Sequence, residues 1–252
     1  MFTKPARTVA PWTRADDFAC LACALLGLVI AISPHLAKWF AEGTLDYVAD
    51  GDDVLYLAIS RVPYYDGWSL RDPFATPDEH VPTLYAWLQF VPLAKLAKLL
   101  GLSALRTALL WRAVGGLLLG ASLYAIFRQL LGGTRRPTAW ALGCALICLT
   151  DAGFARGQPL VKSLSILWGL GDPSNRLGPN GLSQYRVVTP ILNLPWLLLL
   201  IAVLVPGGRR GWWTWALGAI CLGLCLQLYF FFWTAALLGI GAYLGIRAVA
   251  WL

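Results

Sequence analysis

Long apolar runs separated by short charge clusters and two polar stretches set the pattern of this chain. The first run, 18–34, follows Lys4, Arg7 and Arg14. Five more occupy about 107–127, 138–154, 187–205, 212–229 and 231–252. A helix that crosses a bilayer needs roughly 20 mostly apolar residues, and each run approaches that length. The pattern therefore predicts an all-α fold, a polytopic transmembrane helical bundle of about six spans. No charge occurs between Gly211 and Ile246. One unbroken helix there would be on the order of 50 Å, against a hydrocarbon core of roughly 30 Å, so the chain must turn. Tyr and Trp favour the membrane interface, which places that turn at LQLYFFFW, 226–233.

The segment 81–102, VPTLYAWLQFVPLAKLAKLLGL, is apolar but interrupted by Lys95 and Lys98. If it spanned, the pairs Arg135/Arg136 and Arg209/Arg210 would fall outside. If 82–100 is an amphipathic helix lying in the interface, both pairs fall inside, as the excess of Lys and Arg in cytoplasmic loops requires. The second arrangement gives a cytoplasmic N-terminal tail, 1–17, and two large external loops. The first, 35–103, holds nine of the thirteen acidic residues, between Glu42 and Glu79. The second, 155–186, is rich in Gly, Pro and Asn and mostly basic, with Arg156, Lys162, Arg176 and Arg186 against Asp172. The whole chain reads as one membrane domain.

Composition agrees with the pattern. The 252 residues are 58% hydrophobic and 13% charged, with thirteen Trp, which places the chain among membrane proteins. The net charge of +7 is scattered beside apolar runs and is no signal for nucleic acid. The first run has the outline of a signal peptide, but its end, ISPHLAKW, lacks a small-x-small cleavage site, so an uncleaved first helix is expected. The six cysteines fall as Cys20/Cys23, Cys144/Cys148 and Cys221/Cys225. Each pair is one helical turn apart without His or carboxylate beside it, which suits small residues packed between helices rather than a metal site.

Candidate chemistry concentrates in ADGDDVLYLAISR, 49–61, where Asp52 and Asp53 head a helical pattern soon after the first span. Acidic residues there complement a helix dipole and cap free N–H groups. Two adjacent carboxylates exceed what one cap requires, and two further roles are open, a general base or a clamp for a divalent cation. That cation is the sole cofactor the pattern admits. His80, after Asp78 and Glu79, opens the interfacial segment; with His35 as the only other histidine there is no zinc set. Arg186 stands at the outer start of the fourth run, either snorkelling to headgroups or binding phosphate in a bidentate way. Arg156 and Lys162 present the same pair of readings. No P-loop, dinucleotide fingerprint or Ser-His-Asp arrangement is recognisable.

In order along the chain, these segments resemble the GT-C superfamily of integral-membrane glycosyltransferases, which includes protein O-mannosyltransferases and lipid A aminoarabinose transferases. Asp52-Asp53-Val54-Leu55-Tyr56 is similar to the acidic pair plus Tyr that follows their first helix. YYDGWSLRDPF, 64–74, is similar to their Gly-Asp/Trp segment, and HVPTLYAWL, 80–88, to their His/Lys-Pro-Pro segment opening a juxtamembrane helix. LGLSALRTALLWRAVGGLLLG, 100–120, is similar to their linker entering the second span with an Arg. QYRVVTP and LQLYFFFW are similar to uncharacterised bacterial members. Val81 departs from the first Pro of the Pro-Pro pair. The chain stops in an apolar segment and family members have more spans, so a partial chain is expected.

The resemblance implies a bacterial inner-membrane enzyme with a polyprenyl-phosphate sugar donor and membrane lipid as its partners. Asp52 is then the base that deprotonates the acceptor, Asp53 its neighbour for orientation or metal, and Tyr56, His80, Arg156, Lys162 and Arg186 the substrate-binding set. The competing expectations are a transporter or flippase of lipid-linked sugars and a non-catalytic membrane scaffold. A transporter predicts charge within spans and paired broken helices; a scaffold needs no acidic external loop.

Overall fold

The computed structural model describes residues 10–48, 52–68, 70, 87–150, 191–204, 211–228 and 230–249. Among the described residues 84% are helical and none is in a strand, so the all-α expectation holds. The helices are α1 (Arg14–Glu42), α2 (Asp52–Asp66), α3 (Trp87–Leu99), a 3-10 turn (Ala104–Arg106) running into α4 (Thr107–Leu130), α5 (Pro137–Thr150), α6 (Leu194–Leu204), α7 (Trp212–Leu228) and α8 (Phe230–Val249). Two are long and apolar enough to cross a membrane, Arg14–Glu42 and Ala104–Leu130. The other four expected spans contain shorter apolar helices, Pro137–Thr150, Leu194–Leu204, Trp212–Cys225 and Thr234–Ile246.

α1 begins at Thr13, whose extended backbone precedes the first turn. Asp16, three residues on, accepts from the Thr13 backbone N–H at 2.8 Å, the reciprocal half of a capping box. The helix does not stop near Pro34, where the first run ends in the sequence; it continues to Glu42. Proline at 34 removes the N–H that would have served the Ile30 carbonyl. The Ser33 hydroxyl donates to that carbonyl at 2.7 Å instead, so the break is repaired from the adjacent residue. Residues 35–42, expected in the external loop, are therefore helical. α1 ends at Gly43, in the left-handed region at φ 72°, with its N–H donating to the Trp39 carbonyl at 2.8 Å. Glycine adopts that conformation without a Cβ penalty.

α1 and α4 form the closest helix pair of the fold. A Cβ on Gly120 would enter the backbone of Cys23 and Ala24, and one on Gly27 would meet the Gly116 carbonyl. One on Gly116 would lie 2.7 Å from the Ala31 Cβ. Cys23, Gly27 and Ala31 are spaced by four on α1, as are Gly116 and Gly120 on α4. This is the small-xxx-small pattern that lets two backbones touch. The opposite side of α1 exposes Phe18, Leu21, Leu25 and Val29, while Ile30 is buried with the small residues of the seam side.

Both ends of the pair are pinned. At one end Asp16 Oδ1 accepts from Tyr124 Oη at 2.6 Å, Arg128 Nε at 2.7 Å and Thr138 Oγ1 at 2.7 Å. That carboxylate joins the start of α1, the end of α4 and the start of α5. Arg128 is buried there. At the other end lies the His35 network described below. α6 packs on α4 and α7, and α7 on α8. Cys221 and Cys225 of α7 are buried, and Cys221 shares a small core with Leu200 and Ala236. All six cysteines are free thiols, with Cys23 inside the α1–α4 seam.

The seam yields a paired test. Gly120→Ala is expected to lower thermal or denaturant stability of the detergent-solubilised chain by about 1–3 kcal/mol, the usual cost of overpacking. Gly143→Ala on α5, where a Cβ meets nothing within 4 Å, should be neutral or stabilising by up to about 1 kcal/mol, since Ala is the better helix former. Equal effects of the two substitutions would show that backbone contact at Gly120 is not what holds α1 to α4.

Candidate functional site

The quoted acidic pair stands at the first two positions of α2. The side chain of Asp52 lies outside the described residues. Asp53 is buried, and its Oδ2 accepts from Arg112 Nη2 at 3.0 Å. Arg112 belongs to α4 and has no exposed surface. Its Nη1 lies 3.2 Å from Nε2 of His35, which is equally buried on α1. His35 Nδ1 lies 2.7 Å from the Leu45 carbonyl oxygen. A carbonyl only accepts, so Nδ1 carries the proton; a guanidinium only donates, so Nε2 carries the lone pair. The two contacts together fix a neutral imidazole in one tautomer.

The local chain explains how these groups meet. After Gly43 the backbone reverses, and residues 45–48 lie back over the end of α1. Tyr47 packs edge-on against His35 with ring centroids 5.6 Å apart, and the Arg112 guanidinium sits 4.9 Å from the Tyr47 ring centroid. The cation thus has a carboxylate, an imidazole and an aromatic face around it. Among the described residues its Nε–H finds no acceptor. Beside this cluster Arg106 pairs with Asp46 at 2.9 Å, adding a second, partly exposed tie between the 45–48 segment and the start of α4.

α2 and α3 form a layer over this end of the α1–α4 pair. Tyr56 packs into this layer: its ring lies 5.9 Å from Phe90 of α3, and Phe90 meets Trp111 of α4 edge-on at 6.0 Å. Trp111 Nε1 donates to the Gln89 carbonyl at 3.0 Å, and Tyr64 Oη to the Leu102 carbonyl at 2.6 Å. These contacts fix the layer, and with it the start of α2, against α4.

Of the sequence-predicted site residues, Asp53 enters the buried cluster and Tyr56 the packing beneath it. His80, Arg156, Lys162 and Arg186 lie outside the described residues. Among the described residues, no group of three or more His, Cys, Asp or Glu is placed to hold a metal ion. His35, Tyr47 and Arg112 are the members that sequence reasoning missed. In the sequence His35 pairs only with His80, two histidines that make no zinc set. Arg112 had a usable signal, a lone cation inside TALLWRAVGGLLLG, where a buried charge demands a partner.

Breaking a buried pair by removing one member leaves the other charge uncompensated, at about 3–5 kcal/mol. Asp53→Asn and Arg112→Met are each expected to destabilise the chain by that order, and the double substitution by clearly less than the sum of the two. A double-mutant cycle on thermal unfolding in detergent reads the coupling; additive losses would mean that the 3.0 Å contact contributes nothing specific. Compared with known proteins, the chain matches no family model, no curated protein and no solved structure.

Proposed function

We propose that this chain is the membrane domain of a GT-C-type glycosyltransferase, moving a sugar from a polyprenyl-phosphate donor to an acceptor at the outer face of a bacterial inner membrane. The observation that carries the reading is the anchoring of α2. A buried carboxylate–guanidinium–imidazole cluster fixes its first turn, where Asp52 and Asp53 stand, onto the ends of α1 and α4. A cap alone needs no such anchor; a base that must meet a substrate does.

In this reading the two pinned ends mark the membrane boundaries. Asp16 and His35 are separated along α1 by about 28 Å at 1.5 Å per residue, close to the roughly 30 Å of the hydrocarbon core. The Asp16 end, next to Arg135 and Arg136, is cytoplasmic; the His35 end is external. The shorter helices α5 to α8 complete six spans, and α2 and α3 lie at the outer surface. Asp52 takes the acceptor proton as the acceptor oxygen forms its bond to the anomeric carbon. The bond from that carbon to the lipid phosphate breaks with inversion, and the phosphate leaves with the electron pair. Asp53 is a positioning residue, held by Arg112. Arg186, Arg156 and Lys162 supply positive charge to the leaving phosphate, with His80 and Tyr56 as further members of the substrate-binding set.

A transporter or flippase of lipid-linked sugars gains one argument from Arg112, a charge buried within an apolar helix. It lies five residues into α4, about 8 Å from the helix start, which suits a boundary anchor better than a midplane relay.

Two measurements test the proposal. Asp52→Asn in the full-length, active context is expected to stay inserted and folded while transfer falls by roughly 10²–10⁴, because Asn preserves volume and capping but takes no proton. Near-normal transfer would reduce the acidic pair to a structural role. Separately, cysteine labelling with an impermeant reagent should reach Asp72→Cys from outside the cell and Arg135→Cys only from the cytoplasm. Labelling of both from one side would overturn the placement of α3 on the surface.

A further inference from the structure

α2 carries an uncovered face. Val54, Tyr65 and Trp68 are 58%, 56% and 65% exposed. Val54, Ala58, Arg61 and Tyr65 recur every three or four residues, one stripe along the helix; Trp68 follows the turn at Gly67 (φ 112°) and stacks on Trp87 of α3. The stripe is apolar and aromatic, with a single cation. A groove of about 310 Å³ opens on it, lined by Val48, Val54, Leu57, Ala58 and Leu105, with Arg61 among its walls. Arg61 is exposed and lies 5.8 Å from the Tyr65 ring centroid. Among the described residues no carboxylate pairs with it. The nearby Asp46 is already paired with Arg106. Among the described residues, the groove is therefore an apolar slot whose one uncompensated charge is positive.

From this we infer that the groove holds one bilayer phospholipid, its acyl chain against Val54, Leu57 and Leu105 and its anionic headgroup at Arg61. The inference rests on the membrane placement proposed above and not on transferase activity. An amphipathic helix at the headgroup level buries its apolar face into the acyl boundary, and Tyr and Trp prefer that depth; Tyr65 and Trp68 stand at the end of α2 where they would hold it. Charge complementarity chooses the headgroup. Phosphatidylglycerol carries a net negative charge that Arg61 neutralises, whereas phosphatidylcholine carries a fixed cation that it does not.

The test uses the purified full chain, delipidated in mild detergent and offered phosphatidylglycerol or phosphatidylcholine, with bound lipid counted by native mass spectrometry. Thermal unfolding checks that each variant is folded. The wild type should retain one phosphatidylglycerol with about fivefold preference, the effect of one surface cation on an anionic lipid. Arg61→Gln should lose that preference while still binding either lipid weakly. Ala58→Trp, which fills the slot, should lose the tightly held lipid of both kinds, and Leu105→Ser serves the same purpose should Ala58→Trp fail to fold. Unchanged preference in Arg61→Gln, or an unchanged lipid count in the folded groove variants, overturns the inference. So does complete displacement of phosphatidylglycerol by equimolar polyprenyl phosphate, which would give the groove to a donor lipid. A loss of sugar transfer in Asp52→Asn leaves these binding results unmoved, so the two proposals fail separately.

Discussion

Backbone contact between α1 and α4 is the constraint on which the other elements depend. Side chains larger than hydrogen at Gly27, Gly116 or Gly120 would push the two helices apart. Their absence brings Asp16 within reach of Tyr124 and Arg128, and His35 within reach of Arg112. Short charged contacts at both ends require that the helix axes be close along their whole overlap. Apolar association between helices in lipid gains little from the hydrophobic effect, so close packing and buried polar contacts have to supply it.

The two polar ends are built differently. The Asp16 carboxylate is saturated by hydroxyl, guanidinium and backbone donors, an arrangement with every lone pair used and the character of a structural pin. The Arg112 cluster is less complete. One guanidinium nitrogen has no acceptor among the described residues, one partner is a neutral imidazole, and one wall is an aromatic ring. Buried charge of this kind is costly unless its partners are fixed. The 45–48 segment, α2 and α3 provide that fixation, which is why the start of α2 is held where it is. The proposed enzyme reading uses this directly: Arg112 of α4 fixes Asp53, and with it the first turn of α2.

Much of the fold was legible along the chain. Apolar runs without strand alternation gave helices, because each backbone polar group in such a run is best satisfied within its own segment. The lysines at 95 and 98 marked α3 as different from its neighbours, and Pro137 stands where α5 begins. The extent of α1 was not legible, since Pro34 reads as a stop and only the Ser33 hydroxyl, by taking over the Ile30 carbonyl, lets the helix continue. The acidic pair drew attention by its composition, yet the sequence offered cap, base and metal clamp alike.

What the sequence determined by itself is local: helix class, apolar length, the spacing of small residues on α1 and α4, and the lone cation at Arg112. Those follow from periodicity and from the cost of unpaired charge, both readable one segment at a time. Which carboxylate answers Arg112, that His35 is its second neighbour, and that Tyr47 closes over both were decided only by tertiary structure. The three partners lie 59, 77 and 65 residues from Arg112 along the chain. Such pairings depend on where the glycine seam sets two helices and where Gly43 turns the backbone, and no single segment contains that information.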